Sequence, residues 1–402
     1  MKIVDKVSVI LTVGLIAEGL IVPGYNVYAA PSLTFRIKEE NITMSDEDAP
    51  SLETAEAEAI FMIDTAEDLR LAFQEQSFDL NEVFFLNINA SLGLSQAIQE
   101  RDMGFLHCQW ITQRPVDGNG NITDAEYVLH MFTVEYRDDI KALQAYRNRE
   151  LIDRLTAREA VMLERAESII ANVITHGMSD YDKVLAIHDY IVLNGRYSTR
   201  SDDPLIQESI HRTEGILLNG VGVCSSYSGT MCLLLGMVDV ECIFVTGIGQ
   251  NKNGLTGLHS WNKVMIDGMW YNFDVTWDDP TPDNPGVVSY AYFGITDEIF
   301  STDHIWNNDV YPAANGIYYN YYRYNGLFSH NYEQFRDIIT QEIEVYGDSL
   351  EMQVSLYVEN YDSNEYDFNF IFDLLPDIES ASHTRLNDSS GEFTIIIKRT
   401  GN

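Results

Sequence analysis

The chain has 402 residues, enough for two to four domains, and its apolar content of 45% excludes wholesale disorder. Its 62 acidic and 25 basic residues leave a formal net charge of −37. Such a surface repels phosphate backbones and anionic membranes, so we do not expect nucleic acid as a partner.

The first thirty residues have the layout of a secretory signal peptide. Lys2 and Lys6 precede an apolar run, Pro23 and Gly24 break any helix, and small residues at positions 29 and 30 offer a cleavage site. An uncleaved membrane anchor is the alternative, but Glu18 and the early Pro23 leave the run short for a spanning helix. We therefore expect cleavage near residue 29 or 30 and a secreted, extracellular or cell-surface protein with no membrane contact after cleavage.

Residues 31–57 are polar and acidic, and we interpret them as a linker. From 58 to 146 the pattern changes to short apolar strands and an amphipathic helix, which predicts a small N-terminal α/β unit. Thr65 can cap its helix, AEDLRLAFQEQ. The predicted strands are IFMI, EVFFLNI, FLHCQWI and EYVLHMFTVEY, with a turn at DGNGN (117–121).

The middle of the chain, residues 147–310, is predicted as the next domain. A long helix is expected over roughly 147–174, and a second helix begins at a capping box formed by Ser179 and Asp182. That second helix has an apolar stripe in VLAIHDYIV and ends at an Asn-Gly pair. A helix of small residues headed by Cys224 and the strand VECIFVTG follow.

Residues 311–402 repeat the strand and helix order of the N-terminal unit and predict a second small α/β unit. The predicted elements are a helix at 330–341, a strand at 350–358, a helix near 364–374 and a strand at 392–399. The fold class is therefore α+β, with a central domain flanked by two small α/β units.

A predicted hairpin gives the middle domain a testable geometry. Asp267-Gly268 joins LHSWNKVMI to MWYNFDVTW, and an Asp-Gly pair between alternating runs favours a two-residue turn. If residue 266 pairs with 269, then His259 and Asp274 are diagonal neighbours on one face, about 7–8 Å apart at their α-carbons. The carboxylate of Asp274 can then hold one imidazole nitrogen of His259, which leaves the other nitrogen to accept a proton.

Cys224 follows an extended, glycine-spaced run and opens a helix of small residues, GVGVCSSYSG. A helix N-terminus and a nearby imidazolium both stabilise a thiolate, and this sequence offers both. The backbone N–H of Cys224 can contribute to an oxyanion hole. The three segments together indicate a catalytic triad of Cys224, His259 and Asp274.

The segments GVGVCSSYSG, GLHSWNKVMIDGMWYNFDVTWDDP and IHDYIVLNGRYS resemble the transglutaminase-like cysteine enzyme superfamily, and more narrowly its bacterial secreted branch. The resemblance covers about residues 155–310. It implies a papain-like core in which Cys224 is the nucleophile, His259 the general base and Asp274 the orienting acid, with no cofactor.

The resemblance also implies acyl transfer through a thioester on protein or peptide amide bonds. Water as the acceptor gives a protease or amidohydrolase, and an amine gives a cross-linking acyltransferase. The alternative is a non-catalytic binding or scaffold module of an extracellular assembly.

Two positions depart from the family pattern. Ser225 stands where a larger polar residue often follows the cysteine, which bears on substrate preference. In animal members an upstream tryptophan helps to stabilise the oxyanion, but residues 155–223 contain none. Tyr190 and Tyr197 are the candidates to replace it.

We expect no metal. Asp278, Asp279 and Asp283 lack the spacing of a calcium loop and are interpreted as a solvated loop. Zinc at the three triad residues would require a fourth ligand, and the sequence presents no fitting Cys or His.

Other histidines and cysteines have structural interpretations. The pair His188-Asp189 on its helix is expected to be structural, and Asp303-His304 to support the site or pack. Cys232 and Cys242 are expected to be small buried apolar residues, although their spacing leaves a bridge between them open. The fourth cysteine is Cys108.

Overall fold

In a computed structural model of the chain, the described residues are 11–13, 62–99, 104–113, 124–199, 204–207, 209–251, 254–281, 283–284, 286–359, 361–362, 364–375, 377–385 and 391–400. Apart from 11–13, the predicted signal peptide and linker lie outside them, as does the DGNGN turn. Within these ranges, no helix combines the length and the apolar character that crossing a membrane requires.

The N-terminal unit is a sheet with a helix packed on it. Its elements are β1 Leu11–Val13, β2 Met62–Ile63, α1 Ala66–Phe78, β3 Val83–Asn89, α2 Leu94–Gln99, β4 Phe105–Gln113 and β5 Tyr127–Tyr136. The strand order is β1-β4-β5-β3-β2. The predicted cap is confirmed, because Thr65 and Asp68 form a capping box. Phe73 of α1 packs edge-on against Phe84 and Phe132 of the sheet.

The middle domain begins with helices. They are α3 Asp138–Arg147, a short 3-10 helix Arg149–Arg154, α4 Ala157–Val173 and α5 Asp180–Asn194. The prediction of one helix over 147–174 was wrong, because two local caps divide it. Asn148 accepts the backbone N–H of Glu150, and Thr156 forms a capping box with Glu159. The predicted cap at Ser179 and the end of α5 at Asn194 are confirmed.

The rest of the middle domain places a buried helix on a sheet. Its elements are β6 Arg196–Tyr197, α6 Pro204–Gln207, α7 Thr213–Asn219, β7 Val221–Gly222, α8 Cys224–Met237, β8 Cys242–Gln250, β9 Thr256–Ile266, β10 Met269–Phe273, β11 Phe293–Ile295, α9 Asp297–Phe300 and β12 His304–Ile305. The sheet order is β11-β10-β9-β8-β12. Every residue of α8 is buried except Cys224 and Cys232. The hydrophobic core therefore surrounds α8.

The C-terminal unit follows with a core of its own. Its elements are α10 Tyr321–Tyr324, β13 Phe328–Ser329, α11 Tyr332–Tyr346, β14 Glu351–Val358, α12 Phe370–Leu374, β15 Ile378–Arg385 and β16 Glu392–Arg399. The predicted strand at 392–399 is confirmed. The helix predicted near 364–374 is shorter, and β15 was not predicted.

The two flanking units share one topology. Each runs strand, helix, strand, helix, strand, strand, if β1 and α10 are set aside. In each, the first two strands pair in parallel and the other pairs are antiparallel. The sheet orders β4-β5-β3-β2 and β15-β16-β14-β13 correspond strand by strand. The similar order predicted for the two units is thus present in three dimensions.

Candidate active site

The N-terminus of α8 presents Cys224 at the end of a short parallel strand pair. β6 and β7 pair through Tyr197 and Gly222, two residues before the cysteine. A Cβ atom at Gly222 would lie 2.6 Å from the Cβ of Ser226, so only glycine allows this tight entry into the helix. Cys224 itself is half-buried, so its thiol is placed at the edge of the core.

The hairpin that carries His259 has the predicted register. Residue 266 pairs with 269, and the pairing continues to 262 with 273. Asp267 and Gly268 have φ angles of 49° and 77°, the left-handed values that this tight turn requires. The expected approach of His259 and Asp274 is confirmed, because Nε2 of His259 lies 2.7 Å from Oδ2 of Asp274.

Interactions link the three predicted triad residues in order. His259 hydrogen-bonds Asp274 and interacts with the thiol of Cys224, and Ser260 interacts with the same thiol. Because Nε2 of His259 faces Asp274, the nitrogen available to Cys224 is Nδ1. The Asp-His-Cys order is the arrangement that activates a thiol.

The electrostatic interactions among Asp274, His259 and Cys224 favour an ion pair between His259 and Cys224. Burial alone would raise the pKa of Cys224, but His259 lowers it below its ordinary value. Burial alone would lower the pKa of His259, but Asp274 and Cys224 raise it to about 10. Burial opposes ionisation of Asp274 as well, yet the charge of His259 and hydrogen bonds from His259 and His304 hold its pKa well below the usual range. These shifts favour a thiolate beside an imidazolium.

Asp274 has a second imidazole partner, His304. Nε2 of His304 lies 3.2 Å from the same Oδ2 atom, and Nδ1 lies 2.7 Å from Asp303. The other oxygen, Oδ1, accepts the backbone N–H groups of Thr276 and Trp277. The sequence interpretation of His304 as a supporting or packing residue named no contact with Asp274. Only the pairing of β12 with β8, at the edge of the sheet, brings it there.

Among the described residues, one group of side chains could hold a metal ion. The ligand atoms of His259, Asp274 and His304 all lie within 4.8 Å of one another. A zinc site was not expected, because no further Cys or His was identified as a ligand. His304 is such a histidine. Hydrogen bonds at 2.7 and 3.2 Å already account for the approach of the three groups, because both imidazoles use the same carboxylate oxygen.

The two tyrosine candidates for the oxyanion site lie in different surroundings. Tyr197 pairs with Gly222, two residues before Cys224, and its side chain is 38% exposed. Burial of its hydroxyl and then the charges of Cys224 and Asp274 raise its pKa, so the hydroxyl stays a protonated donor. The hydroxyl of Tyr190 instead accepts a hydrogen bond from Arg165 at 2.8 Å. The geometry therefore favours Tyr197 over Tyr190.

Ser225, the small residue after Cys224, uses its side chain in a contact with the backbone. Ser225 is buried, and its hydroxyl donates to the backbone oxygen of His211 at 2.8 Å. The side chain at this position therefore supports the segment before α7.

The prediction of a solvated loop at Asp278 and Asp279 was wrong, because both are buried. Oδ2 of Asp278 lies 3.1 Å from Nε2 of His188, and its Oδ1 accepts the backbone N–H of Tyr292. Asp279 accepts a hydrogen bond from the hydroxyl of Tyr227 in α8. The third residue of that set, Asp283, is exposed as expected.

Two buried acids, Asp278 and Glu392, are linked through Ser289 in a polar network that follows Asp274 in the fold. The hydroxyl of Ser289 lies between Asp278, at 3.2 Å, and Glu392 of the C-terminal unit, at 2.9 Å. Burial raises the pKa of Asp278 to about 6 and that of Glu392 to about 7. Burial lowers the pKa of His188, but its hydrogen bonds to Asp189 and Asp278 outweigh this and raise it to about 9. His188 is structural, as predicted.

The family model described as "Transglutaminase-like superfamily" matches residues 167–275. No curated protein matches the chain.

Similar solved structures include a TGase (15% identity, TM-score 0.24), with 55% of this chain and 59% of that chain covered. They also include a proposed cysteine protease from Cytophaga hutchinsonii (15%, 0.25), with 46% and 70% covered. A third is a proposed protease from Parabacteroides distasonis (7%, 0.22), with 79% and 66% covered. The chain thus spans less than two thirds of the length of the TGase.

The matched residues include both halves of the site, the segment at Cys224 and the hairpin that ends at Asp274. The chain therefore carries a domain of the transglutaminase-like superfamily at residues 167–275.

Proposed function

We propose that this protein is an exported cysteine-dependent enzyme of the bacterial secreted branch, which acts on protein or peptide amide bonds through a thioester. The observation that carries the proposal is the hydrogen bond between His259 and Asp274, together with the position of Cys224 at the N-terminus of α8, where His259 lowers the pKa of its thiol.

The proposed reaction follows from the positions of these groups. The thiolate of Cys224 attacks the carbonyl carbon, and a C–S bond forms as charge develops on the carbonyl oxygen. The backbone N–H of Cys224 is free of intrahelical partners because it opens α8, so it can donate to that oxygen, and the hydroxyl of Tyr197 is the candidate second donor. His259 then gives its proton to the leaving nitrogen as the C–N bond breaks.

Release of the acyl group uses the same histidine. After the amine leaves, neutral His259 can take a proton from water or from an acceptor amine, which attacks the thioester and returns the Cys224 thiolate. Water gives hydrolysis or deamidation, and an amine gives cross-linking. The net charge of −37 would steer basic or lysine-rich protein targets to the enzyme faster at low salt.

The first test is selective alkylation. Iodoacetamide should label Cys224 well below pH 8.5, the ordinary pKa of a free thiol being about 8.5, because His259 stabilises the thiolate. Cys108 is the matched control, since burial raises its pKa to about 12. A Cys224 thiol that stays unreactive at neutral pH would contradict the proposal and favour a non-catalytic binding or scaffold module.

The second test is turnover of glutamine-bearing peptides, followed by mass spectrometry with and without an amine probe. Cys224→Ala should abolish every product, whereas Cys108→Ala should retain activity. Peptide cleavage, deamidation and amine incorporation give different product masses, so the acceptor is identified directly. Turnover that survives in Cys224→Ala would remove this cysteine as the nucleophile.

A further inference from the structure

Two cysteines outside the proposed triad lie against each other. The Sγ atoms of Cys232 in α8 and Cys242 in β8 are 3.1 Å apart, and both thiols are free and half-buried. We propose that Cys232 and Cys242 form a disulfide, which joins the helix that begins at Cys224 to the central sheet.

The surroundings of the pair give an oxidant access. Cys232 and Cys242 line a groove of about 660 Å³ between the N-terminal unit and the middle domain, together with Arg70 of α1 and Leu143 of α3. Cys232 is one of the only two residues of α8 that are not buried. A cysteine needed only for core packing would not need to be accessible from this groove.

The local geometry needs little change to close the bond. Disulfide sulfurs are about 2.05 Å apart, so the two atoms must approach by roughly 1 Å. Nδ2 of Asn262 lies 3.2 Å from the sulfur of Cys232 and 3.4 Å from that of Cys242, and it also donates to the backbone oxygen of Ser228. Asn262 therefore holds α8 and β8 together at the point where the bond would form.

The oxidation is a thiol–disulfide exchange with a disulfide donor, such as an oxidoreductase or oxidised glutathione. One thiolate of the pair attacks a donor sulfur, and the first donor thiol leaves. The second thiolate then attacks the mixed disulfide, the Cys232–Cys242 bond forms, and the second donor thiol leaves. The pair loses two electrons and two protons, and the donor disulfide gains the electrons.

The disulfide would fix one end of a row of polar contacts between α8 and β9, and Cys224 lies at the other end of this row. Cys224, Ser228 and Cys232 follow one another at four-residue spacing in α8, which places them along one side of the helix. They contact Ser260 and Asn262, which are two residues apart and share a face of β9. A cross-link at Cys232 therefore restricts sliding of α8 against the strand that carries His259, while Cys224 keeps its own partner.

The test is disulfide mapping of the full chain after exposure to oxidised glutathione. Trypsin leaves Cys224, Cys232 and Cys242 on one peptide, 213–252, because this segment contains no earlier Lys or Arg. Cleavage after Tyr227 and next to the acids at 239 and 241 separates the three cysteines. After alkylation under non-reducing conditions, we expect fragments that contain Cys232 and Cys242 to stay linked, with alkylated Cys224.

Thermal melting provides the second measurement. Reduction should lower the melting temperature of the oxidised protein by roughly 5–10 °C, as expected for a short closed loop. The double variant Cys232→Ser/Cys242→Ser should show no such shift, and Cys108→Ser should keep it. Alkylation of both Cys232 and Cys242 after glutathione treatment, or pairing of either with Cys224, would overturn the proposal.

Discussion

The carboxylate of Asp274 receives four hydrogen bonds, two from imidazoles on Oδ2 and two from backbone N–H groups on Oδ1. Partners on both oxygens leave the group unable to rotate. The ring of His259 is consequently held in one orientation, with Nδ1 toward Cys224. His304, which is not itself one of the three proposed triad residues, thus takes part in placing the proposed base.

Asp274→Asn should cause a large loss of turnover. The amide oxygen can keep the two backbone N–H partners, but its NH₂ group then meets Nε2 of His259, which favours the tautomer with its proton on Nδ1. That imidazole cannot accept a proton from Cys224. We expect turnover to fall by up to about 10⁴-fold, and less if the thiolate forms before the substrate binds.

The pH dependence of alkylation checks this directly. In Asp274→Asn the pKa of the Cys224 thiol should rise, since the ion pair with His259 weakens. Asp303→Asn is the matched control, because Asp303 contacts His304 but not His259, and it should have a smaller effect. An unchanged thiol pKa with full activity in Asp274→Asn would show that this residue is only structural.

Tyr197 has a testable role as an oxyanion donor. Its hydroxyl stays protonated near Cys224, whereas the hydroxyl of Tyr190 is used by Arg165. Tyr197→Phe should lower kcat by up to about 10²-fold with little change in KM, because loss of a donor acts on the transition state. Steady-state kinetics of Tyr190→Phe, which should match the wild type, provide the comparison. Equal kcat values in all three proteins would exclude the role.

At the scale of elements, the packing of α8 explains why its sequence is rich in small residues. An added Cβ at Gly229 would lie 2.3 Å from Oγ1 of Thr213 in α7, which is itself buried. At Gly236, the atoms in the way belong to the side chain of Leu143, which faces the groove and has room to move. Gly229 and Gly236 of α8 therefore differ in how well they tolerate a larger side chain.

Gly229→Ala should destabilise the protein by about 1–3 kcal/mol, because α7 and α8 must separate. It should also reduce turnover, since α8 carries Cys224. Gly236→Ala should be close to neutral, as the better helix propensity of alanine offsets the displacement of Leu143. Urea unfolding of both variants measures the difference. A Gly229→Ala protein as stable as the wild type would show that Thr213 can rotate away.

Local chemistry decided which elements could be predicted from the sequence. The turn at Asp267-Gly268 fixed the register of its hairpin, and that register placed His259 beside Asp274. The caps at Thr65 and Ser179 fixed two helix starts in the same way. Each of these features depends on residues close together in the chain, so a single sequence contains the information.

Features that depend on distant partners could not be predicted. The polar neighbours of Asp278 in the sequence predict an exposed loop. Asp278 is nevertheless buried with His188, which lies 90 positions earlier. His304 reaches Asp274 only through the pairing of two non-consecutive strands. Strand order and the burial of charge are set by the whole fold, so short patterns do not contain them.

At the scale of the whole molecule, three buried acids make stability depend on pH. Burial raises the pKa values of Asp278 and Asp279 to about 6 and that of Glu392 to about 7. An acid whose pKa is raised by folding favours the folded state while it is protonated. Stability is therefore lost as the pH rises from the unfolded pKa toward the folded one.

Glu392→Gln should be more stable than the wild type at pH 8 and similar to it near pH 4.5. The usual pKa of Glu392 is 4.5 and the folded value is about 7, which corresponds to roughly 3 kcal/mol above pH 7. Denaturant unfolding across this range measures the gain. Glu379→Gln is the control, since Glu379 is exposed on β15 and the net charge changes equally. An equal gain in both variants would assign the effect to overall charge repulsion.

The residues of the network that contains Glu392 are synthesised at different times. The residues of the proposed triad are all made by position 274, but Ser289, which lies 3.2 Å from Asp278, receives its buried partner Glu392 from β16, 103 residues later. During synthesis from the N-terminus, the turn that holds Asp274 must wait for β16 before its support is complete. A nascent chain that already contains Cys224, His259 and Asp274 would therefore hold an unfinished site, and synthesis of the C-terminal unit would set the moment at which the site is complete.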